Sequence, residues 1–188
     1  MRSTKKVLYI VTSATLAATR IDILVQQAVA KDWDVWVVST PQGMNFIDKP
    51  KLEQLTGHPV RSQYRRYDQP KQAPLADAVV FAAASFNSIN KWALGLADNL
   101  ALSTLCELTG TATPKVLLPF LSDVMARHPA FDTSIQALKA AGIHVLLGPD
   151  TYEPHTANTG QDVLATYPWN SVLNTLTQIG ATSPETLD

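Results

Sequence analysis

The stretch Ala82-Ala-Ala-Ser-Phe-Asn-Ser-Ile-Asn-Lys-Trp-Ala-Leu-Gly-Leu-Ala-Asp-Asn-Leu100 decides how the rest of the chain is read. It continues an apolar run, Ala78–Ala82, of the kind that forms a strand buried on both faces. It then passes at once into small residues and a polar series with amides at Asn87, Asn90 and Asn99. Packing alone does not ask for that pattern, whereas loops at the carboxyl end of a parallel sheet are where ligands bind.

Outward from this stretch, short runs rich in Val, Leu and Ile recur at Val7–Val11, Val35–Val38, Val116–Leu118 and His144–Leu147. Each is separated from the next by a segment that can hold a helix. Between the first two, Ile21, Leu24, Val25, Ala28 and Val29 fall at helical spacing. Further helices are expected around Leu52–Leu55, Leu100–Leu108, Phe131–Ala141 and Asn170–Ile179, with Gly57, Gly110, Gly142 and Gly180 as stops. The alternation predicts an α/β fold: a parallel β-sheet flanked by helices on both faces, a Rossmann-like three-layer sandwich. Pro59–Pro74 and Asp150–Gly160 lack either period and read as surface loops.

With 188 residues, 46% of them hydrophobic, the chain suits one domain over residues 1–180, with a flexible tail at 181–188. Only 16% of residues are charged and the net charge is −1, which provides no basic field for nucleic acid or an anionic membrane. Thr12, Ser13 and Thr15 interrupt the first apolar run too early for a signal peptide, and no run approaches the length of a membrane span. The single cysteine, Cys106, forms no internal disulfide and reads as a buried thiol, so a cytoplasmic location is expected.

Thr12-Ser-Ala-Thr-Leu-Ala-Ala18 leads from the first strand into a helix, where hydroxyls either cap the helix or meet a phosphate. No GxGxxG is present. His128, His144 and His155 are spread along the chain with no carboxylate or thiol at metal-ligand spacing, so no metal site is expected and a surface or half-buried imidazole is the reading of each, while His58, in Thr56-Gly-His-Pro-Val60, reads as a turn residue rather than an active-site one. Arg61, Arg65 and Arg66 form either an anion-binding patch or a solvated face. Trp92 and Trp169 read as packing or subunit-contact residues.

Ala83-Ala-Ser-Phe-Asn-Ser88 followed by Gly95-Leu-Ala-Asp-Asn-Leu100 resembles the flavin motif of the homo-oligomeric flavin-containing cysteine decarboxylases, the family of phosphopantothenoylcysteine and lantibiotic-peptide decarboxylases. That motif reads Pro-Ala-Ser-Ala-Asn-Thr and then Gly-x-x-Asp-Asn/Asp-Leu; Ala83 and Phe86 depart from it. With this anchor, Ala14-Thr-Leu-Ala17 lies over the family's Gly-Ser-Ile-Ala turn, and Thr40 and Phe46 over its Thr and Phe after the second strand. The resemblance implies FMN as cofactor, with Thr15, Thr40, Phe46, Ser85, Asn87 and Ser88 as its binding residues.

The family's Pro-x-Met-Asn-x-x-Met substrate clamp has its counterpart in Pro119-Phe-Leu-Ser-Asp-Val-Met125, with Ser122 replacing the clamp Asn and Met125 retained. Where the decarboxylases carry a histidine ahead of the flavin motif, this chain has Gln69, which exchanges no proton near neutral pH. The resemblance therefore implies a homotrimer or dodecamer that binds FMN and acts on a small molecule or peptide with altered flavin chemistry. Two alternatives stand beside it: a lyase that still decarboxylates a cysteine-derived carboxylate, and a non-catalytic flavin-binding regulatory subunit.

Overall fold

A computed structural model describes residues 5–70 and 73–181. Five strands, β1 (Val7–Thr12), β2 (Asp34–Ser39), β3 (Ala78–Ala84), β4 (Lys115–Pro119) and β5 (His144–Val145), form one sheet in the order β2-β1-β3-β4-β5. Every neighbouring pair is parallel. The helices are α1 (Ile21–Ala30), α2 (Lys49–Thr56), α3 (Phe86–Ala93), α4 (Leu100–Thr109), α5 (Asp123–Ala126), α6 (Pro129–Ala140) and α7 (Trp169–Gln178). The chain thus has the expected Rossmann-like α/β fold.

Every residue of β1, β3 and β4 is buried, as the unbroken apolar runs require of strands covered on both faces. α1 and α7 pack against each other, while α3 packs against α4 and α6. Leu8, Ile10, Phe81, Leu117 and Leu118 are sealed between these layers. Burial of such side chains stabilises the fold by about 1.5–3 kcal/mol each. Gly57 ends α2 with φ 71°, a left-handed turn that costs glycine nothing.

β5 stops after two residues, short of the expected His144–Leu147. The Leu146 N–H still reaches the Leu117 carbonyl at 2.8 Å, but the chain then turns through Gly148, whose N–H donates to the Tyr152 carbonyl at 2.8 Å. α3 is a helix that the apolar periodicity did not announce, because its stripe is only Ile89 and Trp92, among Phe86, Asn87 and Asn90. What fixes it is Ser85 at its N-cap and Phe86 packed on His128 and Phe131 of the α6 region.

Trp92 is 3% exposed and donates its indole N–H to the Thr109 hydroxyl at 2.8 Å, so it is a core residue and offers no surface for a subunit contact. Trp169 is equally interior. Cys106 is half-buried rather than buried. Of the expected tail, residues 182–188 lie outside the described residues, and Ala181 is buried with its N–H on the Leu176 carbonyl at 2.8 Å.

Candidate functional site

The strand order reverses direction at β1: β2 lies on one side of it and β3, the start of the series continuing to β5, on the other. In such sheets a crevice opens outside the carboxyl ends of the strands at that switch point. A cavity of about 700 Å³ lies there, lined from the segments that follow β1, β2, β3 and β4. Its size falls within the ~300–1,000 Å³ usual for small-molecule sites.

The first wall is set by a bulge. Between Ala82 and Ala84 the β3–β4 register slips, and Ala83 takes φ 55°, in the left-handed region that a β-carbon disfavours. The turn aims the Ala83 carbonyl at β1, where it accepts the hydroxyls of Thr15 at 3.0 Å and Ser13 at 3.2 Å. Ser13 Oγ in turn accepts the N–H of Ser85 at 2.9 Å. A proline, which the related motif has at this position, cannot adopt that φ. The departure at Ala83 is therefore one of backbone geometry as well as side chain.

Ser85 then caps α3, accepting the Ser88 N–H at 3.3 Å, and its hydroxyl meets that of Ser88 at 3.1 Å. Asn99 caps α4 in the same way, accepting the Leu102 N–H at 3.1 Å. Two helix N-termini thus border the cavity, with free N–H groups and the positive end of each helix dipole. Thr15 accepts the Ala18 N–H at 3.3 Å and Thr40 that of Gly43 at 3.1 Å, so the helix-capping role of the Thr12–Ala18 segment is realised at Thr15. Ala14 takes the place of a glycine in the related turn without entering the left-handed region.

Of the expected site residues, the cavity brings together Thr15, Thr40, Ser85, Asn87, Ser88, Ser122 and Met125. Phe46 stands apart from it, partly exposed at the end of the turn after β2. Lys91 and Asp98 also line the cavity and pair with each other, and the hydrogen bond from Lys91 holds the Asp98 carboxyl below the usual carboxylate range. Gln69 lies elsewhere, beside Arg61 and Arg65 in a second, smaller depression, where the Arg65 guanidinium ties down the Gln69 and Arg66 carbonyls. His58 is a structural residue, paired with Asp34 at 2.5 Å and stacked on Trp36.

The residue that sequence reasoning passed over is His155. The loop after β5 returns to the sheet, where His155 bridges Ser122 and the Asp123 N–H donates to the His155 carbonyl at 2.7 Å. This sets the imidazole against Phe120, ring centres 4.7 Å apart, on the cavity wall. Burial pushes the imidazole below the ordinary histidine range, opposed in part by the charge of Asp123. Burial also raises the hydroxyl of its neighbour Tyr152. Its sequence signal was the placement of Tyr152 and His155 in an aperiodic segment after the last strand. Among the described residues no His, Cys, Asp and Glu cluster is arranged to hold a metal, and no helix is long and apolar enough to cross a membrane.

The model of the Flavoprotein family matches residues 1–179. The chain belongs to the Flavoprotein family. Among its relatives, the probable phosphopantothenoylcysteine decarboxylase of Streptococcus mutans is 31% identical over 145 residues, covering 74% of this chain and 80% of that protein. The coenzyme A biosynthesis bifunctional protein CoaBC of Escherichia coli is 29% identical over 147 residues, which make up 74% of this chain but only 35% of the longer protein.

Solved structures of the same fold include HAL3 from Cryptococcus neoformans, with TM-score 0.65, 22% identity and coverage of 94% of this chain and 100% of that one. The FMN-dependent cysteine decarboxylase SpaF has TM-score 0.63, 19% identity and coverage of 89% and 97%. The chain is thus similar in sequence to a probable phosphopantothenoylcysteine decarboxylase and in fold to an FMN-dependent cysteine decarboxylase.

Proposed function

We propose that this flavoprotein binds FMN in the cavity at the β1/β3 switch point and acts there on a small molecule or peptide bearing a cysteine-derived carboxylate. The observation that carries the reading is the donor set of that cavity. The hydroxyls of Thr40 and Ser88, the amide of Asn87 and the free N–H groups at the starts of α3 and α4 converge there, bordered by Thr15 and Ser85, whose hydroxyl hydrogens go to the Ala83 carbonyl and the Ser88 hydroxyl, while Leu102 and Phe120 provide apolar wall. Neutral donors at helix starts suit a phosphate monoester, and apolar wall with a polar edge suits a flat heteroaromatic ring. Phe46, which does not line the cavity, is assigned to the flavin by resemblance.

FMN, when bound, supplies the two-electron oxidation that makes loss of CO2 from such a carboxylate easy. The chain's own residues bind and orient. Ser122 and Met125 stand on the substrate side of the cavity, and the hydroxyl of Ser122 offers one donor where a clamp asparagine would offer a paired donor and acceptor. Substrate is therefore held differently from the related decarboxylases, and Gln69 carries no proton for it. A homo-oligomer and a single domain over residues 1–180 complete the proposal.

The visible absorption spectrum of the purified protein, with the released chromophore identified by mass, tests the reading. Flavin bands and an FMN mass are expected. A colourless protein that takes up no added FMN would overturn it.

A further inference from the structure

By the resemblance, Gln69 stands where the decarboxylases carry a histidine, which raises the question of which group in the cavity moves a proton. The answer lies in the hydrogen bonds of Tyr152. Its hydroxyl has one hydrogen and two lone pairs, and it has three partners: the Leu121 N–H at 3.2 Å, the Leu121 carbonyl at 3.0 Å and His155 Nδ1 at 3.0 Å. The N–H can only donate and the carbonyl can only accept, so the single hydroxyl hydrogen goes to the carbonyl. Nδ1 must then be the donor to the remaining lone pair.

This count assigns the tautomer: Nδ1 carries a hydrogen whether the ring is neutral or charged, and Nε2 is the nitrogen that titrates. Among the described residues Nε2 has no hydrogen-bond partner. It borders Gly160, where an added β-carbon would stand 3.2 Å from it, and His155 itself lines the cavity. The ring plane is fixed by Phe120 on one face and by the Ser122 bridge on its backbone. A half-buried imidazole with one nitrogen locked and the other free is the arrangement of a general base with its orienting partner.

We infer that His155 is the proton-accepting residue of this cavity, positioned by Tyr152, for a substrate that carries a thiol beside its carboxylate. The inference rests on the flavin-dependent reading above for the substrate and on the Tyr152 geometry for the residue. The step is the transfer of one proton: the substrate S–H bond breaks, an Nε2–H bond forms, and the electron pair stays on sulfur as thiolate. No oxidant or reductant enters it.

The charged groups around the ring fit that role. Asp123, on α5, faces the imidazole and balances the imidazolium formed, and its own partner Arg127 sits at 2.7 Å. Lys91 and Asp98, across the cavity, neutralise each other. Tyr152 and Tyr167, from the same loop, are kept protonated by burial. Burial of the ring favours its uncharged form, the state a base requires.

The test uses FMN-loaded wild type, His155→Gln and Tyr152→Phe. Each is treated with diethylpyrocarbonate, which acylates only unprotonated imidazole, between about pH 5 and pH 8, and modification at residue 155 is counted by mass. The wild type is expected to react with a midpoint below that of an ordinary histidine, and Tyr152→Phe to lower the midpoint further, since the imidazolium loses the acceptor for its Nδ1–H.

CO2 release from phosphopantothenoylcysteine and from a peptide with C-terminal cysteine is then followed. His155→Gln is expected to lower kcat at least about 100-fold with FMN content unchanged. Full activity in His155→Gln, an unreactive His155, or a midpoint unmoved by Tyr152→Phe would each overturn the assignment. A wild type that holds FMN but releases no CO2 from either compound overturns the decarboxylase reading instead, and the modification profile alone then decides for or against His155.

Discussion

Ser13 and Thr12 are adjacent hydroxyl residues at the end of β1, and the structure assigns their substitutions opposite signs. Ser13 is 1% exposed and holds two groups of the β3 bulge, donating to the Ala83 carbonyl and accepting the Ser85 N–H. In Ser13→Ala the carbonyl keeps the Thr15 hydroxyl at 3.0 Å, but the Ser85 N–H loses its acceptor beside the cavity. An unsatisfied buried donor costs about 1–3 kcal/mol. Ser85 is only half-buried, so taking ~1 kcal/mol, the low end of that range, and ~2–4 °C per kcal/mol for a chain of this size, the melting temperature should fall by about 2–4 °C.

Thr12 Oγ1 is buried and has no partner among the described residues. Thr12→Val removes that hydroxyl at nearly constant shape, so stability should hold or rise by up to ~1 kcal/mol. Urea unfolding of wild type and both variants, read at constant m, checks the pair. FMN uptake by fluorescence quenching should weaken about tenfold in Ser13→Ala, which corresponds to ~1.4 kcal/mol, because the start of α3 is no longer tied to β1. A Ser13→Ala protein that unfolds at the wild-type midpoint, or a Thr12→Val protein that is the more destabilised of the two, would overturn these assignments.

Gly43→Ala would place a β-carbon 2.5 Å from Ser39 Oγ and 3.0 Å from Thr40 Oγ1, so it should destabilise by about 1–3 kcal/mol and weaken FMN binding through Thr40, as thermal melts and flavin titration would report. On the alkaline side, burial holds the Tyr9, Tyr152 and Tyr167 hydroxyls above the ordinary tyrosine value, so above about pH 10 the folded chain keeps protons that the unfolded chain has released and stability falls as pH rises. Lys115, lowered by burial, opposes this in the adjoining window, and the three tyrosines outweigh it; urea midpoints that do not fall at high pH would refute the sign. Leu94 and Leu96 are 74% and 49% exposed beside α3; light scattering of the wild type tests the proposed homo-oligomer, and in that assembly changing both to Lys should reduce the mass to that of one chain.

Much of the fold was legible because its strands are buried on both faces, so the apolar runs at Val7–Val11 and Ala78–Ala82 stand out without any need for alternation. α1 and α4 announced themselves by period, and Gly57 by its place after α2. What stayed hidden depends on contacts distant in sequence. α3 is held by its Ser85 cap and by Phe86 against α6, neither of which is a periodic signal. β5 ends early because Gly148 and Tyr152 pull the chain out of the sheet. Ser13 read as a helix-capping candidate, and only the bulge at Ala83 shows it to be the tie between β1 and β3.

The candidate site divides along the same line. Thr15, Ser85, Asn87 and Ser88 follow their strands within a few residues, so strand ends and motif spacing lead directly to them. His155 reaches the cavity only because a loop ten residues past β5 folds back across β4, where Leu121 serves both the His155 N–H at 3.3 Å and the Tyr152 hydroxyl. No local pattern marks that return. Reading the histidines one by one, by metal-ligand spacing, treats His155 like His144, which is exposed at the start of β5. The difference between them is made by Tyr152: a hydroxyl with both backbone groups of Leu121 already attached leaves an imidazole one way to bind, and so turns a surface residue type into one whose free nitrogen has a defined address.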